Sequence, residues 1–256
     1  EILHKLCKQE SLPLEGISIG PIGADNSGDT FIVREGMRWR LDLTMPLSAD
    51  QKVTLDRVFE QYWEEINKKI VVLHVSSNPI DSDQLKTDAE IRDLAEIFRN
   101  FTDKAEFHSL MAATTPKLKS EFARSDPTIL QFSCHADEQD GIELEDDCAL
   151  SVSFSTEDFK SLLNSLEHRL TLIILTCCSS LDMARDLNLP IPVIAGNDKL
   201  VDDHARAFSR RFYTCLLAGY EPKAAFTDAT KFMESEYPNS SEYLIFVDPS
   251  DDTDEN

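Results

Sequence analysis

Ile129-Leu130-Gln131-Phe132-Ser133-Cys134-His135 and, 43 residues further on, Leu172-Ile173-Ile174-Leu175-Thr176-Cys177-Cys178-Ser179-Ser180 decide the reading of this chain. Each is a short apolar run that stops at a reactive side chain, a histidine in the first and a cysteine in the second. Such runs are expected as strands of an open parallel sheet buried on both faces, and ligands and chemistry gather at the carboxyl ends of those strands. Two neighbouring strands of this kind present His135 and Cys178 together at one sheet edge, which is what a cysteine nucleophile needs from its imidazole partner. Strand alternation turns Cys177 into the sheet as a structural residue.

Around these two runs, strand and helix alternate from Ile70 onward. Ile70 to Val75 reads as a strand, Ser82 to Phe98 as an amphipathic helix, and Glu106 to Ala112 as a weaker strand. Thr115 to Ala123 reads as a helix with Pro116 in its first turn. A hairpin (Gly141 to Asp146, Leu150 to Phe154) follows His135, and a helix capped by Ser155 or Thr156 runs to about His168. After Cys178 come a strand at Ile191 to Ala195, helices at Leu200 to Leu217 and Pro222 to Ser235, and a last strand at Tyr243 to Val247. This alternation predicts a three-layer α/β/α sandwich with a mostly parallel central sheet over residues 70–247. Residues 248–256 form an acidic tail expected to be disordered.

Residues 1–69 read differently. Gly16, Gly20, Gly23 and Gly28 are four of only eight glycines and mark a loop-rich opening. Thr30 to Val33 and Arg38 to Thr44, joined across Glu35-Gly36, read as a β-hairpin. Ser48 caps a connector helix to about Lys68, with Val53, Leu55, Val58, Phe59, Tyr62, Trp63 and Ile66 as its buried stripe. A lone hairpin is marginal, so this segment needs a packing surface. Trp39, Phe59, Tyr62 and Trp63 suit docking against the following domain or a sensor protein. The missing initiator Met suggests a chain cut from something longer.

Composition narrows the function. With 256 residues and 41% hydrophobic content the chain can bury a real core. Lys and Arg total 25 against 47 Asp and Glu, a net charge of -22, so direct binding to nucleic acid or an anionic membrane surface is not expected. No apolar run reaches the roughly 20 residues needed to span a bilayer, and Glu1-Ile2-Leu3-His4 does not read as a secretion signal, so a cytoplasmic location is expected. The six cysteines include no CxxC pair, which disfavours zinc, and most are expected as small buried hydrophobes.

Residues 70 to about 233 resemble the CHAT domain, a caspase-like cysteine protease of the clan that includes caspases, metacaspases and separase. Ser77-Asn78-Pro79-Ile80-Asp81, with Leu85 and Glu90-Ile91-Arg92, is similar to the family's opening strand-loop-helix. Thr128 to Ala136 is similar to its "DIVHFSGHG" strand and Leu175 to Ser179 to its "LNACYS" strand. Asp203, Ala207-Phe208, Phe212-Tyr213, Gly219 and Ala225-Phe226 match the helical text that follows. The resemblance implies His135 and Cys178 as a catalytic dyad, with the backbone N–H groups of Ala136 and Cys178 as the oxyanion hole. It implies neither metal nor cofactor. It further implies a protein substrate and an activating sensor or upstream domain, as in bacterial defence and CRISPR-associated systems. Cys134 and Ala136 stand where the family has glycines, which favours a competing reading as an inactive adaptor that binds partners through its acidic surface.

Thr176, two residues before the nucleophile, and the acidic residues Asp137, Glu138, Glu145 and Asp146 are substrate-pocket candidates. No Arg or Lys occurs between Ala136 and Ser153, so cleavage is expected after a neutral or basic residue rather than after Asp. His74, inside an apolar strand, reads as a satisfied core histidine, and His204 as a surface residue at a helix start.

Overall fold

The computed structural model describes residues 2–21, 30–34, 37–66, 69–137, 141–165, 168–197, 200–238, 240 and 243–249. The chain divides into two compact units, residues 1–68 and 69–256.

In the first unit, α1 (Ile2–Gln9) precedes a three-stranded antiparallel sheet in the order β1-β3-β2. Its strands are β1 (Leu14–Pro21), β2 (Thr30–Arg34) and β3 (Met37–Leu43). The β2–β3 pairing runs to Arg34 opposite Met37, as the hairpin reading expects, while Glu35 and Gly36 lie outside the described residues. The opening is less loop-like than its glycines suggest, because Leu14–Pro21 is a strand along β3. Its register shifts between Leu14 and Gly16, where glycine suits a bulge.

Helix α2 (Ala49–Ile66) starts at a reciprocal cap. Gln51 N–H donates to Ser48 Oγ (3.2 Å), and Ser48 N–H donates to Gln51 Oε1 (3.0 Å). Leu55, Val58 and Phe59 are buried with Leu3, Cys7 and Leu41. Val53 is 70% exposed, contrary to expectation, because two residues along a helix turn by about 200° and it cannot share a face with Leu55. Phe59 is only 1% exposed within this unit's own core, so it is not a docking anchor. The side chains of Trp39, Trp63 and Ile66 lie outside what the structure describes.

The second unit is built on a six-stranded sheet. Its strands are β4 (Ile70–Ser76), β5 (Ala105–Leu110), β6 (Ile129–Ser133), β10 (Leu172–Leu175), β11 (Val193–Gly196) and β12 (Leu244–Val247), in the order β12-β11-β10-β6-β4-β5. All neighbours pair parallel except the edge strand β12. One face packs α4 (Thr115–Ser125), α5 (Thr156–Asn164) and α6 (Leu181–Leu187) against Leu73, Val75, Leu130, Phe132, Ile173 and Leu175. The other packs α3 (Thr87–Arg99), α7 (Asp202–Leu217) and α8 (Pro222–Glu236) against Val72, Ile129, Leu172, Ile174 and Ile194. The result is a three-layer α/β/α sandwich, as the alternation predicts. A small antiparallel sheet of β7 (Ala136–Asp137), β8 (Gly141–Glu145) and β9 (Ser151–Phe154) follows β6.

Helix boundaries follow their caps. Thr114 accepts from Lys117 N–H ahead of Pro116, and Ser155 makes a full capping box with Asp158. The helix expected from Ser82 begins only at Thr87. Asn78 holds the intervening loop, its Oδ1 accepting from Leu85 N–H (2.9 Å) and its Nδ2 donating to Leu85 O (3.1 Å). Among the described residues no helix is long and apolar enough to cross a membrane.

Phe159 is fully buried, with ring centroids 5.3 Å from Phe132 and 5.8 Å from Phe154. Phe159→Ala is expected to cost about 3–5 kcal/mol in urea unfolding followed by tryptophan-independent far-UV signal, against less than about 0.5 kcal/mol for Val53→Ala.

Candidate active site

Strands β6 and β10 pair in parallel with Phe132 opposite Leu175. Continuing that register sets Ser133 against Thr176, Cys134 against Cys177, and His135 against Cys178. Because side chains alternate across a sheet, the two cysteines of the middle pair turn to one face and the His and Cys of the last pair to the other. Cys134 and Cys177 are buried in the core beneath α4, α5 and α6. Burial pushes the Cys177 thiol up to about 12 and the Cys134 thiol well above its ordinary value, and a thiol that resists ionisation is a poor nucleophile. Cys178 is half-buried against the opposite cluster, its Sγ 3.8 Å from Leu200 O.

Cys178 and His135 line one cavity of about 630 Å³. Nε2 of His135 is 2.5 Å from Asp83 O. A carbonyl oxygen only accepts, so Nε2 carries the proton and Nδ1 is the nitrogen left to exchange one. Asp83 lies in the loop where a helix was expected from the sequence, and that loop is what makes its carbonyl available. A backbone oxygen leaves no mark in a sequence, so nothing there pointed to it.

Behind Cys178 the chain turns sharply, with Ser179 at φ 46°. Ser180 fixes this turn to the next strand: its Oγ donates to Cys177 O (3.0 Å) and accepts from Gly196 N–H (2.9 Å). The approach is close enough that a Cβ on residue 196 would stand 2.1 Å from Cys177 O. On the other side of the site, Glu143 N–H donates to His135 O (2.9 Å), which makes these two a hydrogen-bonded pair of the antiparallel ladder. Ala136, paired with Ile142, therefore sits in the alternate register and turns its N–H away from β8. Neither Cys134 nor Ala136 has a positive φ, so their side chains carry no conformational cost where glycines were expected.

The cavity wall is acidic. Among the described residues, Asp83, Glu90, Asp202 and Asp203 line it with two cations, Lys86 and Arg206. Lys86 Nζ is held by Asp203 (3.1 Å) and its N–H by Asp202 Oδ2 (2.9 Å), while Arg206 is paired with Asp93. Glu90 is buried, with Oε1 accepting from Gln131 Nε2 (3.1 Å) and Oε2 3.5 Å from His74 Nε2. Burial works against its ionisation, but His74 and Ser209 more than offset this and hold the carboxyl below the usual range. His74 is buried as the sequence suggests, with its Nε2 facing Glu90 and no hydrogen-bond partner for its Nδ1.

Of the pocket candidates, Thr176 lines the cavity. Glu145 instead accepts from Asn78 N–H (2.8 Å), and Asp146 accepts from the N–H groups of Cys148 (2.7 Å) and Leu150 (2.9 Å), so both serve loop structure and neither lines it. Glu138 and the side chain of Asp137 lie outside what is described. The carboxylates that do line the cavity come from segments 83–90 and 202–203, far from His135 in sequence, which is why sequence proximity missed them. His204 packs on Tyr237 with ring centroids 4.4 Å apart and is not part of the wall.

No family model matches the chain. A protein of Gillisia limnaea described as a probable protease is 27% identical over 155 residues, which are 59% of this chain and 27% of that protein. The chain thus corresponds to about a quarter of that relative's length. Among solved structures, the Arg-specific cysteine proteinase gingipain R matches with a TM-score of 0.50 at 13% identity, covering 78% of this chain and 52% of that one. The Drosophila initiator caspase Dronc gives 0.45 at 8% identity, covering 71% and 80%. The chain shares the fold of gingipain R.

Gly196→Ala is expected to destabilise by about 1–3 kcal/mol or more, read as a lower urea midpoint, since backbone rather than a flexible side chain blocks the new Cβ. Glu90 has a depressed folded-state pKa, so its contribution is fully present above the ordinary carboxylate value of about 4.3 and is lost as pH falls through the lower folded value. Thermal melts on acidification below about pH 4 should therefore fall more steeply for wild type than for Glu90→Gln.

Proposed function

We propose that this chain is a cysteine endopeptidase that cuts a protein partner, with Cys178 as nucleophile and His135 as its acid–base partner. The observation that carries this reading is that adjacent parallel strands bring both residues to one face and one cavity, with the imidazole oriented by the Asp83 carbonyl. Nδ1 of His135 takes the Cys178 Sγ proton, the resulting thiolate attacks the scissile carbonyl carbon, and the N–H groups of Ala136 and Cys178 take up the oxyanion. His135 donates a proton from Nδ1 to the leaving amine, leaving a thioester on Cys178. Water then adds to that thioester with the same nitrogen accepting its proton, and the carboxyl product and free thiol are released. The negative φ-compatible backbone at Ala136 removes the main argument for an inactive adaptor.

The acidic cavity supports a basic residue before the cut, with repulsion of Asp. Gingipain R, which shares the fold, is Arg-specific. The setting we propose, an effector released by a sensor complex in a bacterial defence system, rests on the CHAT resemblance.

Cys178→Ala should abolish peptide cleavage, Cys177→Ala should retain appreciable activity, and His135→Ala should lose on the order of a hundredfold in kcat. An active Cys178→Ala variant beside a dead Cys177→Ala variant would reverse the register of the site. Profiling on a peptide library should rank Lys and Arg above Asp at the residue before the cut, and a preference for Asp would refute the charge argument.

A further inference from the structure

The sheet face that carries the dyad is apolar along most of its length and turns polar only at its carboxyl edge. His74, Gln131, Ser133 and Thr176 occupy positions where the preceding residues of the same strands, Val72, Ile129, Leu172 and Ile174, are buried apolar groups. Buried hydroxyls and amides cost stability unless hydrogen-bonded, and apolar residues of similar size would fill this space without that cost. Their concentration at the edge that carries His135 and Cys178, with Ser133 and Thr176 each two residues upstream of the dyad, points to the site rather than to the core.

The connections have a fixed direction. Thr176 Oγ1 donates to Phe132 O (2.9 Å), so in its contact with Ser133 Oγ (2.9 Å) it is the acceptor and Ser133 the donor. Gln131 Nε2 packs beneath both hydroxyls, 3.4 Å from each, while its two N–H groups point to nearer acceptors. The amide cannot flip: its oxygen accepts from Tyr213 OH (2.8 Å), and its nitrogen faces Glu90 Oε1 and Ser209 Oγ (3.1 Å each). A carboxylate only accepts, so the amino group must face Glu90.

The backbone ladder between the two strands ends with Thr176 N–H on Phe132 O (3.0 Å), while β6 and β10 themselves stop at Ser133 and Leu175. Cys178 lies two residues beyond Thr176, and His135 three beyond Phe132. We propose that the Ser133–Thr176 hydroxyl bridge, packed on the Gln131 amide, is the positioning element that extends the register of β6 and β10 past the end of the ladder and so sets the separation of His135 and Cys178. Ser133 and Thr176 act through the dyad and do not touch the reacting atoms. This inference rests on the protease reading.

The test compares Thr176→Val, which keeps shape and loses the hydroxyl, with Thr176→Ser, which keeps the hydroxyl, on one peptide substrate. Misplacing the dyad weakens proton transfer and attack rather than substrate binding, so Thr176→Val should lower kcat about tenfold with KM within about twofold. Thr176→Ser should restore most of it. Ser133→Ala is the second variant, and because the bridge is one interaction, the Ser133→Ala/Thr176→Val double variant should be little worse than either single one. Equal kcat in wild type and Thr176→Val, equal losses in Thr176→Val and Thr176→Ser, or additive losses in the double variant would overturn the positioning role while leaving the protease reading intact. A wild-type chain that cleaves no peptide and whose Cys178 resists a peptidyl electrophile would overturn both.

Discussion

The parallel register of β6 against β10 is the constraint on which the rest of this site depends. With Phe132 opposite Leu175, alternation alone sends Cys134 and Cys177 into the apolar core and His135 and Cys178 to the opposite face. A slip of one residue would exchange the inert thiol for the available one and point the imidazole into a hydrophobic layer. The two adjacent cysteines thus have opposite chemistry for a geometric reason: burial raises the Cys177 thiol to about 12, whereas Cys178 opens into the cavity.

Three local devices protect that register where the regular ladder runs out. The Ser133–Thr176 bridge spans the two strand ends, and the Ser180 hydroxyl ties the nucleophile turn to Gly196 on β11. The third acts on the histidine from both sides, through Glu143 N–H on its carbonyl and the Asp83 carbonyl on its Nε2. Each hydrogen bond in these devices is of modest net worth, about 1 kcal/mol, but the buried ones leave a polar group unsatisfied if broken, and this makes the arrangement stiff.

The acidic character of the chain becomes chemically specific only at the cavity. Across the molecule the excess of carboxylates is a solvated surface property, but Glu90 is buried and anionic, held by Gln131 and His74. A cation entering the cavity meets carboxylates in a partly desolvated space, where Coulomb attraction is stronger than at a water-exposed surface.

The sequence by itself determined the strands and their chemistry. Apolar runs ending in His135 and Cys178, helical periodicity between them, and period-two alternation were enough to specify the parallel sandwich and to separate Cys177 from Cys178, because these are local or strictly periodic properties. Pattern also placed the β2–β3 pairing and the Ser48 cap. It failed where glycines concealed β1 and where an amphipathic pattern ran through the loop ahead of Thr87. Only the tertiary structure decided that Asp83 contributes a backbone oxygen, that Glu90, Asp202 and Asp203 rather than Glu145 and Asp146 wall the cavity, and that Ser180 meets Gly196. These relations join residues up to about 120 positions apart through the crossover order of the sheet, and no local period of the chain encodes which distant segments a crossover brings together.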